Sequence, residues 1–142
     1  VKARAPKLTG SCHCGAVRLE AFRTPRQLTD CNCSVCRRYG ALWAYYSKST
    51  ARIVAKRGAT RAYSKRGGRL AFHHCVRCGC LTHYVGLRGS TRIALNARML
   101  AQGPLGGVRV RRLDGAKSWR VLGHVALGQL IPSSARSAAS RA

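Results

Sequence analysis

The chain has 142 residues, 46% of them hydrophobic, which fits one globular domain able to bury a sizeable apolar core. No run approaches the roughly 18 apolar residues of a membrane-spanning helix, and no apolar segment follows the basic start, so neither a membrane span nor a secretory leader is expected. The 27 Lys and Arg face only Glu20, Asp30 and Asp114, and the formal charge of +24 favours anionic partners such as small acidic metabolites or nucleic acid.

In chain order, residues 1–7 read as a basic N-terminal extension and 8–131 as a single, mainly β domain of short antiparallel strands. Gly15–Phe22 alternates, with Val17, Leu19 and Ala21 on one face and Arg18 and Glu20 on the other. Ala41–Tyr46 is an aromatic-rich strand, and Arg52–Val54 and Thr60–Tyr63 are shorter ones. Lys65–Gly68 turns the chain into Arg69–His74. Strands are then expected over Leu81–Leu87, Thr91–Leu95 and Val108–Leu113, the last ending at the turn pair Asp114-Gly115. Asn96 caps a short helical turn, and no long helical period occurs. Residues 132–142, Ser, Ala and Arg after a Pro, are too poor in apolar surface to fold and read as a disordered tail. Regular core packing looks thin, so bound metal is expected to help stabilise the domain.

The eight cysteines form three clusters: Cys12-His13-Cys14, Cys31-Asn32-Cys33-Ser34-Val35-Cys36, and Cys75-Val76-Arg77-Cys78-Gly79-Cys80. Disulfides between neighbours so close in sequence are strained, whereas C-x-C and C-x-x-C pairs suit a tetrahedral metal. Zinc thiolates belong in a reducing compartment, so the chain reads as cytoplasmic. In an extended segment Cys12 and Cys14 face the same way, with His13 turned from them, while Gly79 relieves the tight turn after Cys78. Joining Cys12 and Cys14 to Cys75 and Cys78 makes a closed four-sulfur site, of the structural kind. Cys31, Cys33 and Cys36 then form an incomplete set with an open fourth position, the mark of a catalytic or ligand-binding ion, unless Cys80, His73 or His74 fills it.

The segments Gly10–Val17, Cys31–Arg38 and Phe72–Gly79 resemble the three signatures of the glutathione-dependent formaldehyde-activating (GFA) family, with similarity over about residues 8–125. The resemblance implies a β-tent-like fold with two zinc ions. By motif, Cys12, Cys14, Cys75 and Cys78 match the structural zinc, and Cys31, Cys33 and Cys36 match the active-site zinc. It also implies a carbon–sulfur lyase that combines glutathione with formaldehyde to give S-hydroxymethylglutathione. The stretch Cys78–Tyr84, with Asn96–Arg98 and Leu113–Ala116, is similar to a shorter branch of the family.

Three thiolates on zinc make an electron-rich centre, better suited to holding a thiol as thiolate than to polarising a carbonyl. Glutathione, or a similar small anionic thiol, would then attack a small aldehyde. Arg37 and Arg38 are the candidates for binding its carboxylates, and one face of Trp43, Tyr45 and Tyr46 could line the pocket. The rival readings are a non-catalytic zinc-stabilised binding module and nucleic-acid binding through the basic surface, for which charge is the support.

Overall fold

The alternating segments become strands, and the computed structural model describes residues 4–130. The expected disordered tail, 132–142, lies outside the described residues, as do residues 1–3 of the basic extension. The described strands are β1 (Leu8–Ser11), β2 (Val17–Ala21), β3 (Gln27–Cys31), β4 (Leu42–Ser47), β5 (Ala51–Ala55), β6 (Thr60–Tyr63), β7 (Leu70–Cys75), β8 (Leu81–Gly86), β9 (Arg92–Asn96), β10 (Arg109–Leu113) and β11 (Val121–Ala126). Two short helices, α1 (Ser34–Tyr39) and α2 (Leu127–Leu130), and two 3₁₀ turns complete the regular structure of the described residues. The fold is mainly β, as expected.

β1, β2 and β5 form a three-stranded sheet, and a larger one runs β11-β10-β3-β4-β9-β8-β7-β6. All pairs are antiparallel except β3 with β10, which run parallel and set Cys31 opposite Leu113. In β2, Val17, Leu19 and Ala21 are buried while Arg18 faces water. Glu20 is also buried, because Arg52, its cross-strand partner on β5, holds the carboxylate at 2.6 Å.

The core is fuller than composition suggested, and it has two parts. One lies between the sheets and gathers Leu8, Leu19, Leu28, Leu42, Ala44 and Leu95. The other covers the opposite face of the large sheet, where Trp43, Phe72 and Tyr84 pack edge to face around Ala94. β4 serves both, since Leu42, Ala44 and Tyr46 point one way and Trp43 and Tyr45 the other. Cys12 and Cys75 belong to the first part, and Cys31 and Cys36 to the second. The expected thin core is therefore corrected: alternation on both faces of one sheet supplies two apolar layers.

His83 is buried on β8 with its ring stacked on His73 at 4.5 Å. The Thr82 hydroxyl donates to the His73 carbonyl (3.1 Å), so the same oxygen accepts from His83 Nδ1–H at 2.9 Å. Burial, with His73 alongside, lowers the His83 pKa from 6.5 to about 3. Unfolded His83 thus takes up a proton near pH 6.5 while the native one stays neutral. Above pH 6.5 the group contributes nothing to the pH dependence. Between pH 6.5 and about 3 it costs stability, at up to about 1.4 kcal/mol per pH unit. Urea unfolding of wild type and His83→Asn at pH 7 and pH 5, with zinc held constant, checks this. The variant is expected to lose less stability on acidification, and equal losses would refute the assignment.

Candidate metal centres

Cys12 and Cys14 sit on the turn between β1 and β2 rather than in the expected extended segment. The Cys12 amide donates to the Val17 carbonyl and the Gly15 amide to the Cys12 carbonyl (2.9 and 3.0 Å), so the hairpin closes through the motif itself. His13 is exposed at the tip. Cys75 ends β7, and the chain folds back so that the Gly79 amide meets the Cys75 carbonyl at 2.9 Å. Gly79 has φ 73°, a left-handed conformation that glycine adopts without strain, as its place after Cys78 predicted. Cys12 Sγ to Cys14 Sγ and Cys14 Sγ to Cys75 Sγ are both 3.6 Å, and all four sulfurs with Cys78 lie within 4.8 Å of one another. A zinc tetrahedron with Zn–S bonds of about 2.3 Å has sulfur–sulfur edges near ~3.8 Å, so this donor set fits a zinc ion. The backbone amides of Cys14 and then Cys80 lower the Cys78 thiol to about 5, favouring the thiolate that a metal takes.

Cys31 closes β3, and Cys33 caps α1, its sulfur accepting from the Cys36 amide at 3.5 Å. Trp43 Nε1–H donates to Cys36 Sγ at 3.2 Å. The three sulfurs lie within 4.8 Å of one another, and among the described residues no fourth Cys, His, Asp or Glu joins them. They too fit a metal of zinc's kind, with one ligand position left over. Cys36 hydrogen bonding, with the amides of Cys33 and Gly115, brings the Cys31 thiol down to about 6 against the effect of burial. The same contact with Cys31, together with burial, pushes Cys36 upward. Cys31 therefore takes the thiolate form in preference to Cys36.

The sequence reading did not anticipate α1, although Cys33-Ser34 before Val35 and Gly40 after Tyr39 mark its ends. Nor did it anticipate the wall formed by residues 114–120. Asn32 Nδ2 donates to Asp114 Oδ1 (3.0 Å), and the Ala116 amide donates to Asn32 Oδ1 (2.9 Å). Ser118, then Asn32, holds the Asp114 carboxyl down at about 2. A Cβ on Gly115 would overlap Cys31 Sγ and come within 3.3 Å of Cys33 Cβ. The Asp114-Gly115 pair is therefore a packing requirement of the three-sulfur group as well as a turn.

Arg37 and Arg38 are exposed on α1, where Arg38 Nη1 donates to the Ser34 carbonyl at 2.9 Å. Cys80 packs beside the first core and joins neither sulfur group, and His73 bonds Thr60 Oγ1 through Nδ1 at 3.1 Å. Asn96 caps the 3₁₀ turn and accepts from the Leu42 amide, and Arg98 Nε donates to the Gly40 carbonyl behind α1. Trp43 and Tyr46 are buried, the latter donating from its hydroxyl to the Arg23 carbonyl, while Tyr45 is half-buried.

The sequence profile described as glutathione-dependent formaldehyde-activating enzyme matches residues 7–106, a span that contains both sulfur groups. The chain belongs to the glutathione-dependent formaldehyde-activating family. A crystal structure of a Rhodobacter sphaeroides protein is similar to it, with 29% identity and a TM-score of 0.58 over 70% of this chain and 96% of that one. The match to the GFA family stops before β10, so the wall at 114–120 lies beyond it. Among the described residues no helix is long and apolar enough to cross a membrane.

Proposed function

We propose that this chain is a zinc-dependent carbon–sulfur lyase of the cytoplasm that adds glutathione, or a similar anionic thiol, to formaldehyde or another small aldehyde. Cys12, Cys14, Cys75 and Cys78 hold a structural zinc. Cys31, Cys33 and Cys36 hold the second ion and are the catalytic ligands. The supporting observation is that these three sulfurs converge with no fourth protein donor among the described residues, in a chain of this family. When bound, zinc there supplies a positive centre that favours the thiolate form of an incoming thiol.

The chain's own residues hold that geometry. Trp43 Nε1–H steadies the charge on Cys36 Sγ, and the Asn32–Asp114 clamp keeps the wall against Cys31. Arg37 and Arg38 add positive charge on the exposed side of α1, where carboxylates of the thiol would approach. The substrate sulfur attacks the carbonyl carbon, the C–S bond forms as the C=O π bond opens, and the oxygen takes the proton that the thiol gave up. The reaction is a net addition, reversible and without an oxidant.

Because the addition also proceeds unaided, exchange spectroscopy of glutathione with formaldehyde must be compared with and without zinc-loaded protein. A saturable acceleration is expected, lost in Cys33→Ser while far-ultraviolet circular dichroism is unchanged. A rate equal to the spontaneous one would overturn the reading and leave a zinc-stabilised binding module.

A further inference from the structure

A groove of about 650 Å³ opens beside the three-sulfur group, with Tyr45 and Leu113 below and Arg92, Arg111 and Trp119 around it. Leu113 also packs with Cys31 and Cys36, so groove and sulfurs share a wall. The Trp119 ring comes within 3.7 Å of where a Gly115 Cβ would stand, the same point that would overlap Cys31 Sγ.

Both guanidinium carbons, of Arg92 and Arg111, lie 5.7 Å from the centre of the Tyr45 ring. The ring attracts each cation while the two like charges repel, and an anion seated beside them would offset that repulsion. The chain has three acidic side chains, and each is engaged elsewhere. Glu20 pairs with Arg52 and Arg18, Asp30 lies 3.9 Å from Arg112, and Asp114 is bound by Asn32 and Ser118. Arg111 Nε donates to Thr29 Oγ1 at 2.9 Å, which fixes the side chain along the groove wall. Trp119 is 70% exposed and has φ 58°, its N–H donating to the Asp114 carbonyl at 2.7 Å, an unusual backbone that presents a large indole to solvent.

We propose that this groove is a second carboxylate subsite of the thiol substrate, apart from the Arg37–Arg38 side of α1, with Arg92 and Arg111 holding one carboxylate and Trp119 covering the chain that links it to the sulfur. This rests on the three-sulfur group being the thiol site. Arg92 stands within the segment that the family profile matches, and Arg111, Leu113 and Trp119 stand after it.

The test uses full-length cobalt-loaded protein, whose absorbance reports thiol binding, with three probes: glutathione, its diethyl ester and 2-mercaptoethanol. Glutathione is expected to half-saturate the change at a concentration about tenfold or more below the ester, as charge-assisted hydrogen bonds require. That gap should narrow severalfold in Arg92→Gln and Arg111→Gln yet persist in full in Arg61→Gln, which removes the same charge on β6. The 2-mercaptoethanol response should be the same in every variant, showing that the metal group is intact. Equal binding of acid and ester in wild type, or a gap undiminished in both groove variants, would overturn the proposal while leaving the thiol site standing. If no thiol alters the spectrum, the thiol-site reading fails. S-methylglutathione then probes the groove alone through tryptophan fluorescence: quenching lost in Arg111→Gln supports the carboxylate subsite, and no quenching refutes it.

Discussion

Replacing Cys75 by Ser is expected to leave most of the chain unfolded at 37 °C and without metal in its four-sulfur group. Cys75 is buried at the end of β7, and its sulfur meets that of Cys14, 61 residues earlier. The contact ties the β1–β2 turn of the small sheet to the large one. Structural zinc contributes about 10–16 kcal/mol of apparent binding energy in small domains, comparable with the roughly 5–15 kcal/mol that separates a folded domain from its unfolded chain. Serine is a poor zinc ligand, and its shorter hydroxyl would stand buried among the remaining sulfurs without a metal to neutralise them. Thermal melting by circular dichroism, with zinc content measured on the same sample, checks the outcome. Cys80→Ser is the control, because Cys80 stands outside both sulfur groups and its loss should leave zinc content unchanged. A Cys75→Ser protein that melts within about 3 °C of wild type would show that the group does not hold the fold together.

The strands that the sequence made plain are those whose apolar residues alternate without interruption, such as Val17–Ala21 and Leu42–Ser47. β1 was not legible, because Thr9, Gly10 and Ser11 carry little hydrophobic signal; Gly10 instead packs its backbone against Met99 and Leu100. β3 was hidden for a related reason, since its Thr29 is buried as a polar residue that accepts from Arg111, and Asp30 faces Arg112. β11 has exposed Val121 and Leu122, so its pairing with β10 rests on backbone bonds more than on a buried face. The three cysteine clusters were readable because C-x-C and C-x-x-C spacing is a local property, whereas the meeting of Cys14 with Cys75 is a long-range product of the fold. The groove was not, because its walls come from β4, β9, β10 and the 114–120 segment. Only the parallel docking of β10 on β3 brings Arg111 beside Thr29 and Leu113 beside Cys31.

That docking also sets the second large effect. Gly115→Ala is expected to abolish metal binding at Cys31, Cys33 and Cys36 while sparing the other group, so one of the two cysteine groups would lose its ion. The added methyl would overlap Cys31 Sγ, so the sulfur or the loop must move. The loop cannot simply withdraw, because Asp114 and Ala116 are both bound to Asn32 and the Trp119 amide is bound to the Asp114 carbonyl. Overpacking of this kind costs about 1–3 kcal/mol, so the domain should stay folded with a modestly lowered melting temperature. The sulfur would be displaced and the Gly115 amide that helps to lower the Cys31 thiol would shift with it. Zinc content, cobalt absorbance on adding glutathione, and melting temperature separate this outcome from general unfolding. Adding Asn32→Ala frees the loop to retreat, so the double variant is expected to regain part of the metal binding that Gly115→Ala alone loses, a coupling that independent sites would not show. Full metal content in Gly115→Ala would mean that Cys31 does not need its present position to hold the ion, and the three-sulfur arrangement would have to be reassigned.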